Sequence, residues 1–256
     1  MTNPNPAPWP EGRSGAVSVT FDDGSDSQLQ QAVPLLDERG LRATFYLIPT
    51  GERWERNRAG WQAAAARGHE MGNHTLSHIC ARGFRDTLDG PPTLDTVSLD
   101  KVEADILAAE ERLRGAFPDH GPRSFAYPCY MSHVGTGPGR VSYVPLVAKH
   151  FVAGRGRGEF ANHPLTADRH HLWSWPAERL HHWDLIGMAE TCAAQGRWGI
   201  FTFHGIGDGH LPIARYDLAQ FLDHLERRQD CLWTAPVAEV ASAIVDWRER
   251  TAASRE

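Results

Sequence analysis

The chain of 256 residues lacks the features that mark several classes of protein. It has no run of the ~20 apolar residues that cross a bilayer, so we expect no membrane as a partner. It has no Lys/Arg block, and its net charge of -6 argues against nucleic acid as a partner. Residues 1–10 show neither the basic nor the apolar region of a signal peptide. We therefore expect a cytoplasmic location, or a secreted one if an export signal has been trimmed.

Cysteine is also scarce, and its spacing is uninformative about metal binding. The four cysteines are Cys80, Cys129, Cys192 and Cys231, and no CxxC pair occurs among them. This scatter predicts reduced thiols, not a disulfide framework or a zinc knuckle. Internal repeats and low-complexity tracts are absent as well.

The chain does contain short apolar runs that alternate with amphipathic stretches. After a Pro-rich arm at residues 1–13, expected to be extended, the first strand is predicted from Ala16 to Phe21. The clearest helix begins at Ser98 or Asp100 and ends at Gly115. Further strands are predicted at 41–48, 69–74, 123–128, 151–154, 198–204 and 232–235, and further helices at 61–67, 142–150, 184–195, 215–228 and 236–248. Residues 79–97 and 129–141 are predicted loops, and 156–182 give no clear pattern.

Seven or eight strands alternating with helices over residues 14–250 predict one domain, a parallel βα barrel. A doubly wound open sheet is the structural alternative. Polar residues at the strand ends favour the barrel: Asp22, Asp23, His74, Tyr127-Pro128 and His204 each follow an apolar run. The carboxyl ends of barrel strands converge on one face, so these residues are expected to meet in one pocket.

Two short motifs suggest the chemistry of that pocket. Residues 20–24 read TFDDG and residues 74–78 read HTLSH. One Asp and two His make a three-ligand site for a divalent metal, with positions left open for water and substrate. The second Asp is then available as a base, which points to metal-assisted hydrolysis. The same donor types could hold Fe(II) in an oxygenase, but the usual His-x-Asp pair is missing. A zincin protease would need Glu where Thr75 stands.

TFDDG, HTLSH, a Tyr-Pro turn and a strand ending FTFHG resemble, in this order, the polysaccharide deacetylase family (carbohydrate esterase family 4, NodB homology domain). The resemblance runs from about Ala16 to Ile244. It implies a distorted barrel of seven or eight βα units that removes acetyl groups from an N- or O-acetylated oligo- or polysaccharide. It also implies a divalent metal, usually Zn²⁺ and sometimes Co²⁺ or Ni²⁺. The implied roles are general base for Asp22, metal ligands for Asp23, His74 and His78, and general acid for His204.

The third family motif departs from its common form. The family usually has an Arg two residues before the proline, whereas this chain has Ala126 there. Cys129 takes the position whose backbone N–H would line the oxyanion hole. The residues expected to bind the oxyanion or substrate are Tyr127, Pro128, Cys129, Tyr130 and Arg155. Arg155 or Arg157 could supply the missing guanidinium to Asp22, a hypothesis that rests on the barrel order alone.

The fourth motif, an acidic residue that orients the catalytic His, has no clean match. Asp168, Glu178 and Asp184 are the candidates. Two other functions stay open at this point. One is a cyclic imide or amide hydrolase of the same fold, which the missing export signal favours slightly. The other is a catalytically weak carbohydrate-binding homologue, which the Ala126 departure favours.

Overall fold

A computed structural model describes residues 7–84 and 90–254. Its strands, in chain order, are β1 (Gly15–Asp22), β2 (Thr44–Leu47), β3 (Glu70–Asn73), β4 (Ser124–Ala126), β5 (His133–Val134), β6 (Val141–Ser142), β7 (Ala153–Arg155), β8 (Trp175–Pro176), β9 (Trp198–Phe203) and β10 (Leu232–Thr234). Its helices are α1 (Val33–Asp37), α2 (Gly51–Ala66), α3 (Leu99–Ala116), α4 (Val144–His150), α5 (His182–Gln195), α6 (Arg215–Arg227) and α7 (Val237–Ala253). A π-helical turn, Gln28–Ala32, leads into α1.

The large sheet is parallel throughout. Its strand order is β7-β4-β3-β2-β1-β9-β8, and β10 pairs with the beginning of β1. The two edges of the sheet approach each other, because Arg155 of β7 forms a bridge with Leu172, shortly before β8. The sheet therefore curls into a half-barrel whose edges are joined by this bridge. The predicted distorted βα barrel is confirmed, and the open-sheet alternative is not supported.

The alternation of residues in β1 explains how the sheet positions polar groups. All eight residues of β1 are buried. Val17, Val19 and Phe21 lie in a core cluster with apolar residues of the surrounding helices. The alternate residues are small or polar and bond inside the barrel: Ser18 Oγ donates to Ala235 O, and Thr20 Oγ1 donates to Phe201 O. Because side chains alternate along a strand, Asp22 is the next residue to point inward.

The apolar side of the sheet is held by aromatic packing across neighbouring strands. Phe21 of β1 stacks on Phe45 of β2, with ring centroids 4.9 Å apart, and lies 5.4 Å from Phe203 of β9. Burying each such ring contributes roughly 2–3 kcal/mol by area alone. The strand ends that carry the polar residues are therefore fixed by a packed layer directly behind them.

Three regions differ from the sequence-based expectation. Helix α2 begins at Gly51, well before the predicted helix at 61–67. Residues 129–141, predicted as a loop, contribute to the short antiparallel pair β5–β6. β8, in the region that gave no pattern, is only two residues long, too short for a periodicity to register. Part of the predicted loop 79–97 lies outside the described residues.

The N-terminal arm is the fourth difference. Residues 1–6 lie outside the described part of the chain, but Trp9 is 6% exposed and packs in a core cluster with Ile200 and Val240. The expectation that the arm is extended and unpacked is therefore wrong at Pro8 and Trp9, which are buried. A large indole has enough apolar area to anchor a Pro-rich segment. None of the helices in the described ranges is both long and apolar enough to cross a bilayer.

Candidate metal and catalytic site

Asp22, the last residue of β1, forms a buried ion pair at the centre of the barrel. Arg155 Nη2 donates to both carboxylate oxygens of Asp22, at 2.5 and 2.6 Å. Of the two arginines considered from sequence, Arg155 makes this contact, and Arg157 is exposed. The guanidinium that the third motif lacks thus reaches Asp22 from β7.

The barrel interior holds Arg155 by contacts on every side. Its Nη1 donates to Thr202 Oγ1 at 3.0 Å and to Ser174 Oγ at 3.4 Å. Its guanidinium carbon lies 4.9 Å from the Tyr46 ring centroid and 5.5 Å from that of Tyr130. Burial by itself would lower the pKa of Arg155, but the charge of Asp22 raises it above its ordinary value. A charge this buried is stable only while its partner is present.

Asp23 and the two histidines of HTLSH lie together beside this pair. Asp23 has a left-handed backbone (φ 74°), which turns its side chain away from the direction taken by Asp22. Asp23 Oδ1 lies 3.5 Å from His74 Nε2 and 3.5 Å from His78 Nε2. Donors about 2.1 Å from a tetrahedral metal lie about 3.4 Å from one another. Asp23 Oδ1 is also buried without a hydrogen-bond partner among the described residues, so these residues fit a divalent metal.

The charges within this ligand set keep two of its members deprotonated. Burial raises the pKa of the Asp23 carboxyl, but His74 and then His78, whose ring nitrogens face it, outweigh the burial and lower the pKa well below the usual range. Burial and the neighbouring charge of His74 lower the pKa of His78 to about 4. Both groups are therefore in the form that a metal requires at neutral pH.

The orientation of His74 is fixed by the residue that replaces the family's arginine. His74 is almost fully buried, and its Nδ1 lies 2.9 Å from the carbonyl oxygen of Ala126. A carbonyl can only accept, so Nδ1 carries a proton and Nε2 is the ring nitrogen that faces Asp23. Such a bond to the far side of an imidazole is typical of metal-ligating histidines.

The HTLSH turn is held by Asp105, a residue that sequence reasoning missed. The carboxylate of Asp105 accepts hydrogen bonds from the backbone N–H groups of Leu76 and Ser77, both at 3.1 Å, and from Ser77 Oγ at 2.6 Å. Thr75 and His78 both have positive φ, so the turn needs such support. A signal was present: Asp105 is a carboxylate on the face of α3 that also carries the buried Val102.

The third motif contributes less of its side chains to the site than expected. Tyr127 is 1% exposed, and its hydroxyl donates to the carbonyl of His170 at 2.7 Å. Its ring lies in a core cluster that includes Phe125 and Tyr143, so the expected contact of this side chain with substrate is not supported. Pro128 is buried, and Tyr130 lies beside the guanidinium of Arg155.

The prediction that all four cysteines are reduced is wrong. Cys80, two residues after His78, forms a disulfide with Cys129, with Cα atoms 5.8 Å apart. Cys192 and Cys231 are the free cysteines. A separation of 49 residues gives no local spacing from which this pair could be read. Because stable disulfides are typical of oxidising compartments, the cysteine pattern no longer favours a reducing one.

His204 follows β9 and also lies close to Asp22. Its Nε2 is 3.9 Å from Asp22 Oδ2, the same distance that separates Asp22 Oδ2 from His74 Nε2. Gln28, another residue missed from sequence, joins the two strand ends by donating to the carbonyls of Asp22 and His204. The side chains of Asp22, His74 and His204 therefore share one small region at the carboxyl ends of β1, β3 and β9.

Among the acidic candidates for a partner of His204, Glu178 is the best placed. Asp168 and Asp184 accept hydrogen bonds from the nearby backbone N–H groups of His170 and His181. In the register of β8 with β9, Pro176 lies opposite Thr202, and Glu178 and His204 each follow two residues later in the chain. Buried atoms of both residues, Glu178 Oε2 and His204 Nδ1, have no hydrogen-bond partner among the described residues.

Comparison with known structures supports the architecture. A Mycobacterium smegmatis protein assigned to the polysaccharide deacetylases superposes with a TM-score of 0.66 at 15% identity, over 96% of this chain and 95% of that one. The peptidoglycan deacetylase PdaC of Bacillus subtilis gives 0.60 at 16% identity, over 96% and 98% of the two chains. The class of fold is therefore that of the carbohydrate esterase family 4 deacetylases.

Sequence comparison gives the family. The model of the polysaccharide deacetylase family matches residues 10–132, which contain TFDDG, HTLSH and the third motif. A peptidoglycan-N-acetylglucosamine deacetylase of Bacillus cereus is 35% identical over 92 residues, which cover 36% of this chain and 36% of that protein. The chain spans about a third or less of the length of the curated relatives it matches. Residues 10–132 match the polysaccharide deacetylase family, and the predicted resemblance is confirmed.

Proposed function

We propose that this protein is a metal-dependent hydrolase that removes acetyl groups from an N-acetylated saccharide. The observation that carries the proposal is the position of Asp22. Its Oδ2 lies 3.9 Å from Nε2 of His74, a member of the ligand set Asp23–His74–His78, and 3.9 Å from Nε2 of His204. The names of the relatives support an N-acetyl substrate, since one deacetylates peptidoglycan N-acetylglucosamine. An O-acetylated saccharide is the less favoured substrate.

Asp23, His74 and His78 would hold the divalent ion, for which their oxygen and nitrogen donors favour Zn²⁺, with Co²⁺ or Ni²⁺ as alternatives. Bound there, the ion would act as a Lewis acid on the acyl carbonyl and lower the pKa of a water molecule. The Asp22 carboxylate, which accepts hydrogen bonds from Arg155, would take the proton of the attacking water. His204 would give a proton to the leaving amine.

The oxyanion would accept a hydrogen bond from the backbone N–H of Cys129. A backbone donor does not depend on the side chain, so the role can persist although the residue is an unusual one at this position. The left-handed conformation of Cys129 (φ 51°) makes the turn sharp, and the disulfide to Cys80 holds it beside the HTLSH loop. Fixed donors of this kind cost no reorganisation during the reaction.

The test is acetate release from chitooligosaccharides, a peptidoglycan fragment and acetylated xylan, by protein stripped of metal and refilled with zinc or cobalt. Acetate that appears only after refilling would support the proposal and identify the substrate class. A cyclic imide in the same panel tests the imide or amide hydrolase hypothesis, which predicts ring opening without acetate. Saccharide binding with neither reaction would indicate a carbohydrate-binding homologue.

A further inference from the structure

The imidazole of His78 separates two groups of metal-ligating atoms. Its Nε2 faces Asp23 Oδ1 at 3.5 Å, within the ligand set already described. Its Nδ1 faces the other way, 3.7 Å from Cys80 Sγ. Donor atoms of His78, Cys80 and Cys129 lie within 4.8 Å of one another, which is the spacing of a second three-ligand group.

In the structure the two sulfur atoms of this group are joined in a disulfide. A thiolate is the form of cysteine that binds metal, so the group cannot serve as a metal site while the bond is intact. All three residues are partly exposed, which leaves the disulfide open to a reductant. A phosphine reductant would cleave it by passing two electrons to the S–S bond and taking up the oxygen of one water, giving the phosphine oxide and two thiols.

We propose that reduction of Cys80–Cys129 creates a second metal site, formed by two thiolates and His78 Nδ1, for a soft or borderline dication such as Zn²⁺, Co²⁺ or Cd²⁺. The two thiols lose their protons to solvent as the metal binds, so charge and atoms balance. A thiolate ligand about 2.3 Å and an imidazole ligand about 2.0 Å from a tetrahedral ion lie about 3.5 Å apart. The observed 3.7 Å between His78 Nδ1 and Cys80 Sγ already meets this requirement.

The site would be coupled to the catalytic ligand set through one ring. When both ions are bound, the His78 ring also loses its N–H proton to solvent and bridges them as an imidazolate, through Nε2 on the Asp23 side and through Nδ1 on the sulfur side. Two thiolates also favour softer metals than the Asp–His–His set does. The redox state of one disulfide would thus set how many metal ions this loop holds, and which kind.

The test is a cobalt titration of the intact chain under anaerobic conditions, before and after reduction with a water-soluble phosphine. Three quantities are measured: bound metal per chain, near-ultraviolet absorption from thiolate-to-Co²⁺ charge transfer, and thiols that react with a disulfide reagent. We expect the oxidised chain to bind about one equivalent without the thiolate band. The reduced chain should bind about two equivalents with the band, and two of its thiols should become protected.

Two double variants test which cysteines are responsible for the response to reduction. The Cys80→Ser/Cys129→Ser variant should bind one equivalent without the band under both conditions. The Cys192→Ser/Cys231→Ser variant should keep the full response to reduction, because those thiols lie elsewhere. Each of three results would overturn the proposal. The first is the absence of the band in the reduced wild-type chain, and the second is a band that survives in the Cys80→Ser/Cys129→Ser variant. The third is loss of the near-ultraviolet circular dichroism on reduction. None of these measurements uses acetate release, so the outcome is separate from that of the proposed function.

Discussion

Arg155 and Asp22, which are 133 residues apart, form an ion pair in the interior of the barrel, in which Arg155 Nη2 donates to both carboxylate oxygens. The arginine comes from β7, an edge strand of the sheet, and the aspartate from β1 near its middle. The proposed general base is therefore oriented from across the barrel, not from the third-motif position where Ala126 stands. The orientation of the proposed base therefore depends on the curvature of the sheet.

Replacing Arg155 by Lys should destabilise the fold and lower activity. Lysine has a single side-chain nitrogen, so it cannot contact Asp22 and also keep the Nη1 bonds to Thr202 and Ser174. The free energy of unfolding should fall by about 1–3 kcal/mol, the cost of leaving buried polar groups without partners. Chemical denaturation measures the loss. Arg157→Lys is the control, because Arg157 is exposed and should change stability by less than about 0.5 kcal/mol. Equal effects in the two variants would refute the assigned pairing.

Asp22→Asn should remove the proposed base while leaving the metal ligands in place. Acetate release should fall by about 10²- to 10⁴-fold, and metal content should stay that of the wild type. Both are measured on one sample, by an acetate assay and elemental analysis. Asp26→Asn serves as control, because Asp26 pairs with Arg56 at the surface. Full activity in Asp22→Asn would exclude the base role.

Asp105→Asn should weaken metal binding although Asp105 is not in the predicted ligand set. The amide can accept fewer of the three hydrogen bonds that hold the HTLSH turn, so His74 and His78 should be less well positioned. We expect metal affinity to fall by about 10- to 100-fold, as for other groups that orient ligands. Competition with a chelator measures the affinity. Asp100→Asn, at an exposed position of the same helix, should bind as tightly as the wild type.

Glu178→Gln tests whether this carboxylate positions His204. The two residues each follow the paired residues Pro176 and Thr202 by two positions, and a buried polar atom of each has no hydrogen-bond partner among the described residues. We expect kcat to fall by about 10- to 100-fold with KM and metal content little changed, as for a misplaced catalytic group. Glu159→Gln, at an exposed position, is the comparison. A rise in KM alone would assign Glu178 to substrate binding instead.

The pH dependence of stability should depend on His69, which lies in the core away from the site. Its Nδ1 accepts a hydrogen bond from Ala43 N–H at 3.1 Å, and burial lowers its pKa below the ordinary 6.5. The unfolded chain therefore binds a proton at His69 more readily than the folded chain does. The free energy of unfolding should fall as the pH drops from about 7 to about 5.

Chelator in all samples removes the separate pH dependence of metal binding from this measurement. His69→Gln should show a shallower pH dependence, because glutamine does not take up a proton in this range. His210→Gln, at an exposed position, should keep the wild-type dependence. An unchanged slope in His69→Gln would show that other groups carry the effect.

Much of the barrel could be predicted from sequence, because its strands carry local signals. Ala16 to Phe21 and residues 198–204 alternate apolar and small side chains, and both appear as strands within a residue or two of the prediction. β8 and the burial of Trp9 were missed, since each depends on partners far away in sequence. Whether a short segment forms a strand depends on its pairing with neighbouring strands and not on its own composition.

The sequence by itself determined the proposed ligand set and the flanking base and acid, because TFDDG, HTLSH and FTFHG place each polar side chain just after an apolar run. Only the tertiary structure decided between Arg155 and Arg157, joined Cys80 to Cys129, and identified Asp105 as the support of the HTLSH turn. Local residue order fixes which side chains leave a strand at its end. The partners of those side chains depend on how the sheet curls and which loops it brings together, and no periodicity of a single segment encodes that.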